Sequence, residues 1–371
     1  MAKSIKYDPS WESLDKRPIP GWFLDSKFGA FIMWGDYSVP AFADENSYSE
    51  FYEYFLKADE KMIESETYGN ISFKNQDTEF TPESLGQYIR KNSAIVKDFH
   101  YRTYGKDFRY ENFLDIFKAE LFDPVLWAEI FSKAGIKYII AAAKHHGGYC
   151  MFPSEHEAKS WGYYKDSVHI GPKRDLLGEI FDAMRGKNIK PGIYYSMYEW
   201  LNPLWLTDRG LFVEQVTVPQ IKDIVIRYEP LNIWNDGDWL MGYKDWRSEE
   251  ILAWLFNESP VASEIVVNNR WGGDDRLHGS YYTTECGGGF KDAAHPWEET
   301  HGIDSSFGYK RNSTYFEHKS AKRLIHTLVD IVSRGGNYLL AIPPRADGRI
   351  PNLIVERLTQ IGSWLDVNGE A

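Results

Sequence analysis

The 371-residue chain has only two cysteines, Cys150 and Cys286, so it can build neither a disulfide framework nor a cysteine-rich metal site. It is also short of positive charge. Against 42 Lys and Arg stand 54 Asp and Glu, a formal net charge of −12, and no stretch resembles the basic stripe that follows a phosphate backbone; this argues against a nucleic-acid partner. No apolar run approaches the roughly 18 residues needed to cross a bilayer, which argues against a membrane partner. The amino terminus shows no apolar segment behind its first lysine, so the expectation is a cytoplasmic protein, or a periplasmic or secreted one where a leader has been removed. Three signatures of chemistry are missing as well: a glycine-rich phosphate loop after the first apolar run, a His-Glu-x-x-His metal pair and a Gly-x-Ser-x-Gly elbow. Internal repeats and low-complexity tracts are absent.

Aromatic residues, by contrast, are abundant. They make up 16% of the chain, with 14 Trp and 24 Tyr, within an apolar content of 43%. Such a composition fills a sizeable core, and flat aromatic faces also suit the apolar faces of sugars. Phe28 to Gly35 is a continuous apolar run closed by glycine, as expected of a first strand buried on both faces. Residues 1–27 before it form a polar lead-in anchored by Trp11 and Trp22. Residues 36–110 after it show no clean period beyond about residue 65 and read as a long excursion at the strand's carboxyl end.

From residue 122 helix and strand alternate. Asp123-Pro124 starts a helix that runs to Lys133, Lys137 to Ala143 is a strand, Asp175 to Gly186 a helix, and Pro191 to Ser196 a strand end. The series continues with a helix over 218–227, a strand over 231–234, a helix over 248–257 and a strand over 265–267. It closes with a helix over 320–333, a strand over 337–342 and a helix over 352–365. Parallel strands joined by crossover helices follow. Because polar residues collect at several successive strand ends, the α/β class is read as an irregular (β/α)8-like TIM barrel rather than an open doubly wound sheet. One catalytic domain over 1–371 is expected.

The strand ends offer His145-His146, Tyr194, Asp236 within Trp234-Asn235-Asp236-Gly237-Asp238-Trp239, and Arg270; Glu285 lies beyond them. Asn-Asp-Gly is also an ordinary turn. On the chemical reading, Asp236 and Glu285 face each other across a bound sugar, since two carboxylates are the minimal equipment of a glycosidase. Neighbouring histidines in an extended segment point to opposite faces and rarely share one ion, so no metal and no cofactor are expected, and hydrogen bonding to sugar hydroxyls is the preferred role.

Seven ordered segments carry a resemblance: 27–40, 144–150, 192–200, 234–236, 269–271, 297–309 and 333–340. Together they resemble the retaining α-L-fucosidases of glycoside hydrolase family 29 over roughly residues 20–367. The resemblance implies a barrel that hydrolyses terminal α-L-fucosyl linkages of oligosaccharides or polysaccharides by double displacement. It implies Asp236 as nucleophile and Glu285 as acid/base, with Glu298 as the rival for that second role. Met33, Glu50, His145, His146, Tyr194, Trp234 and Arg270 match sugar-contacting positions, with Glu298 grouped beside them, and Phe51 stands where the family usually has Trp. Two departures fall in the sugar pocket. Met33 replaces the histidine of His-Trp-Gly, and a thioether cannot donate a hydrogen bond; Gly147 replaces the aspartate of His-His-Asp-Gly. They leave open an enzyme for a related L-sugar, an α-L-galactoside or a decorated fucoside, and a non-hydrolytic sugar-binding remnant. The β-sandwich that commonly follows the barrel in the family is not expected within these residues.

Overall fold

The computed structural model describes residues 6–72, 80–290 and 294–370. Eight parallel strands carry the chain: β1 (Phe28–Ile32), β2 (Tyr138–Lys144), β3 (Lys190–Ser196), β4 (Asn232–Asp236), β5 (Val266–Val267), β6 (Tyr282–Glu285), β7 (Trp297–His301) and β8 (Asn337–Ala341). They lie in the order β5-β4-β3-β2-β1-β8-β7-β6, so β1 and β8 are neighbours and the sheet curls back on itself as a (β/α)8-like barrel. β5 and β6 are its two edges. With β5 only two residues long, the seam is held, among the described residues, by one backbone bond, Ser280 N–H to the Val267 carbonyl at 2.8 Å, and by side chains. Ser280 Oγ accepts from Val267 N–H at 3.1 Å, and Asn269 Oδ1 accepts from both Thr283 N–H and its hydroxyl.

The crossover helices begin as their sequences direct. Asp123 caps Pro124–Lys133, Asp175 caps Leu176–Arg185 and Ser320 caps Ala321–Ser333, each side-chain oxygen accepting a first-turn N–H. The buried face of Leu176–Arg185 is Leu176, Leu177, Ile180, Phe181 and Met184, the helical spacing expected of it. Inside the strands Phe31, Tyr138, Ile140, Tyr194, Trp234, Val266, Tyr281 and Leu339 fill the barrel, so it is a packed core and not a channel. The lead-in has a job there. Its Gly21–Ser26 helix plugs the amino-terminal end with Phe23, whose ring stacks on Tyr281 at 4.3 Å, and Asn337 Nδ2 donates to the Phe23 carbonyl. Trp11 is buried, whereas Trp22 is only partly covered and donates through Nε1 to the Glu264 carbonyl.

The excursion is more ordered than its sequence suggests. It holds helices Tyr52–Lys57, Glu60–Tyr68 and the 23-residue Pro82–Tyr104, the last opened by Thr81 and Ser84 in a reciprocal cap. β6 and β7, which fall in what reads as a polar stretch, are the strands that the hydrophobic pattern does not show. Among the described residues no helix is long and apolar enough to cross a membrane, and no group of three His, Cys, Asp or Glu could hold a metal.

Candidate active site

Asp236 is the last residue of β4, at the carboxyl end of the barrel, and is nearly buried. Arg270, three residues past β5, donates from Nη1 to its Oδ1 at 3.0 Å, and the Tyr194 hydroxyl donates to Oδ2 at 2.8 Å. His146 Nε2 stands 3.5 Å from the same Oδ2. Burial alone would raise the Asp236 pKa; His146, Arg270 and Tyr194 outweigh it and hold the carboxyl well below the usual carboxylate range. It is an anion held by hydrogen bonds from Arg270 and Tyr194, with His146 beside it.

Arg270 also donates from Nη2 to Glu285, the last residue of β6, so one guanidinium holds both carboxylates across the β5/β6 seam. Its Nε donates to Thr283 Oγ1 at 3.1 Å, and its Cζ lies over the Trp234 ring, 4.4 Å from the centroid. Burial disfavours the guanidinium's charge, but Glu285 and Asp236 raise its pKa above the ordinary arginine value. The Glu285 side chain is 30% exposed against 12% for Asp236, so it sits at the rim and Asp236 at depth.

The histidines correct the expectation of opposite faces. Their ring centroids are 4.3 Å apart, because His145 to Gly148 is a turn, closed by Gly148 N–H on the His145 carbonyl, rather than extended strand. His145 stacks on Tyr194 at 5.6 Å. His146 Nδ1 is 2.6 Å from Ser196 Oγ, whose own proton goes to the Tyr198 carbonyl; the imidazole therefore donates from Nδ1 and turns Nε2 toward Asp236. Burial and the neighbouring His146 push the His145 pKa well down.

Glu50, on a short turn of 3-10 helix, is buried, with Oε2 accepting from Gly308 N–H at 2.8 Å and Ser306 Oγ at 3.0 Å. Burial raises its pKa to about 7. Met33 lies one residue beyond β1 in the inward cluster with Phe31, Tyr194, Trp234 and Phe307, so the pocket meets an apolar surface there. Phe51 packs on Trp200 at 5.1 Å and on both histidines at 5.7 Å.

Glu298 is set apart from this group. Inward-facing on β7 and fully buried, it accepts from Trp234 Nε1 at 3.0 Å and from the Tyr138 hydroxyl at 2.5 Å, beneath the Trp234 ring and inside the barrel. Both of its oxygens are thus engaged by ring groups inside the barrel. Burial raises its pKa to about 7, only partly offset by the two donors. An acid whose folded pKa exceeds its unfolded one contributes stability below the unfolded value that is lost as pH rises through the folded one. A rise from 4.5 to about 7 corresponds to about 3 kcal/mol. Glu298→Gln should therefore flatten the fall in melting temperature between about pH 4.5 and 7, which thermal unfolding across that range measures; an unchanged slope would reject the assignment.

Tyr48 and Phe307 stand beside these residues and are not among the sugar-contacting positions that the sequence offers. Their rings stack at 5.6 Å and 8°, beside Glu50 and the inward cluster. The only signal was the aromatic within Ser306-Phe307-Gly308. Asp238, the apparent equal of Asp236, is instead buried against Arg276 and accepts Gly272 N–H at 3.2 Å, tying the loops after β4 and β5 together.

The family model for α-L-fucosidase matches residues 1–370. The chain belongs to the α-L-fucosidase family. An α-L-fucosidase of Dictyostelium discoideum is 37% identical over 381 residues, covering 100% of this chain and 75% of that protein. The human tissue α-L-fucosidase is 38% identical over 377 residues, covering 99% and 72%. Among solved structures, a Thermotoga maritima α-fucosidase in complex with fucose superimposes with a TM-score of 0.75 at 35% identity, covering 99% of this chain and 78% of that one. This family member is thus a glycoside hydrolase built on the family's barrel.

Proposed function

We propose that the protein is a retaining exo-α-L-fucosidase acting on glycans with a terminal α-L-fucosyl residue. The observation that carries this reading is the single Arg270 guanidinium on both Asp236 and Glu285. Two carboxylates on one guanidinium suit the shorter spacing of retaining enzymes, about 5–5.5 Å, rather than the about 6.5–9.5 Å that admits a water between them. Asp236, kept anionic, attacks the anomeric carbon as Glu285 passes its proton to the departing oxygen. Water then attacks the glycosyl-enzyme, Glu285 takes the water's proton, and Asp236 leaves as the carboxylate.

His145, His146, Tyr194 and Glu50 supply polar contacts to sugar hydroxyls in this reading, while Phe31, Met33, Trp234 and Phe307 make an apolar wall that suits a C6 methyl. Proton NMR during hydrolysis of an aryl α-L-fucoside tests it: the α-anomer of L-fucose should appear first and mutarotate to the β-anomer. First appearance of the β-anomer would refute double displacement.

Met33 specifically favours a second question about the sugar. The thioether gives the pocket one donor fewer than the family pattern, so wild-type enzyme should discriminate only weakly against a fucoside altered at the hydroxyl nearest Met33. Met33→His should restore that discrimination by about tenfold or more. Comparison of kcat/KM for a series of monodeoxy α-L-fucosides, with and without the substitution, gives the answer.

A further inference from the structure

The two glycines of the His145-His146-Gly147-Gly148 turn each meet a buried carboxylate. A Cβ on Gly148 would collide with Glu199 and Glu157, and one on Gly147 would stand 2.8 Å from Glu53 Oε2. The second case is unusual. No other heavy atom outside the adjoining residues comes within 4 Å of that position, so the space beside Gly147 is open except for the Glu53 carboxylate aimed into it. Glu53 is 2% exposed; its Oε1 accepts from Lys57 at 2.8 Å, and its Oε2 has no hydrogen-bond partner.

The turn is held at three successive carbonyls. Gly148 N–H donates to that of His145 and Trp200 N–H to that of His146. The third, that of Gly147, accepts from Lys165 Nζ at 2.6 Å. Lys165 is fully buried over the Trp161 ring, and its ammonium lies 4.0 Å from Glu53 Oε1. Buried Asp36 completes the surroundings, with one unpartnered oxygen of its own. A buried ammonium without a nearby carboxylate is expensive, and it would leave or rearrange.

We propose that Glu53 is a positioning residue for the histidine pair: from the Tyr52–Lys57 helix its carboxylate fills the side-chain space of position 147 and anchors Lys165, which fixes the turn that presents His146 to Asp236. The carboxylate missing at position 147 has in effect been supplied from the excursion. This rests on the reading of His146 and Asp236 as parts of the sugar pocket.

A carboxylate swap between positions 53 and 147 in the full chain tests it. With an aryl α-L-fucoside, Glu53→Gln and Gly147→Asp should each lower kcat/KM by about tenfold or more, because a displacement of the turn by as little as about 1 Å misaligns the histidines. The double variant Glu53→Ala with Gly147→Asp restores one carboxylate to the same space from the turn side. It should recover to within about fivefold of wild type, and the melting temperature of each variant, measured alongside, separates misplacement of the histidines from loss of folding. Wild-type kcat/KM in Glu53→Gln, or a double variant no better than the worse single one, would overturn the proposal. If wild type itself hydrolyses no fucoside, the functional reading fails instead. The same three variants are then compared by calorimetry with an L-fuco-configured iminosugar, where loss in the singles and recovery in the double remains the expected pattern and its absence counts against the proposal.

Discussion

Replacing Asp236 by glycine should lower turnover of an aryl α-L-fucoside by on the order of 10⁴-fold or more, and added azide should restore part of it while forming β-L-fucosyl azide. The size of the effect follows from what Asp236 is surrounded by. Arg270 at 3.0 Å and Tyr194 at 2.8 Å each commit a donor to it. Glycine leaves a space lined by those donors, which a small anion can fill. Azide entering there attacks once, from the face Asp236 used, so the product is inverted. Water entering through the same route lacks a base and is a weak nucleophile. Rescue that gave α-L-fucosyl azide would mean that the displaced group lies on the other face of the sugar.

Replacing Glu285 by alanine should separate substrates by their leaving groups. A fucosyl disaccharide, whose departing alkoxide needs a proton, should lose about 10²- to 10⁴-fold in kcat/KM, whereas a dinitrophenyl fucoside should lose little in the same parameter. For the activated substrate the slow step becomes release of the glycosyl-enzyme, because the base for water has gone; a burst of phenol followed by a slow steady rate is expected. Glu298→Ala should show no such pattern, since Glu298 is enclosed under Trp234 by Tyr138. Its loss removes the acceptor of two buried donors and should appear as lost stability. Equal sensitivity of both substrates to Glu285→Ala would remove Glu285 from the acid role. Arg270 couples the two carboxylates, so Asp236 and Glu285 substitutions should not be additive in kcat/KM.

The parts of the barrel that were legible in the sequence are those buried on both faces. β1, β2 and β8 are largely apolar and buried along their length, β4 is buried too, and the helices Pro124–Lys133, Leu176–Arg185 and Ala321–Ser333 carry caps that can be read directly. β7 was not legible, for a physical reason: its Glu298 and Glu299 are buried yet satisfied, one by Tyr138 and Trp234 inside, the other by Thr284, Gly287 N–H and His301 outside. Partners distant in sequence make a charged string behave as a core strand, and no local pattern announces them. β6 is half exposed at the seam and has little pattern to show. The Pro82–Tyr104 helix did carry a local sign, Thr81 and Ser84 flanking a proline, which its aromatic and charged interior obscured.

The site divides in the same way. Asp236, Arg270 and the histidines could be named because they stand at strand ends in recognisable motifs. Their geometry could not. The turn at His145 to Gly148 brings both rings to one side, and it depends on glycines whose need is set by Glu53, Glu157 and Glu199 from three other segments. Tyr48 and Phe307 meet from opposite ends of the chain, and only closure of the β1/β8 contact puts them together.

The most direct measurement of the central claim is the mass of the protein, and then of its peptides, after reaction with a 2-deoxy-2-fluoro-L-fucosyl donor carrying an activated leaving group. Slow release should trap one fluorofucosyl unit per chain on the peptide containing Asp236, with none formed in Asp236→Gly. A stable adduct on any other residue, or turnover of an α-L-fucoside by Asp236→Gly at the wild-type rate, would contradict the account.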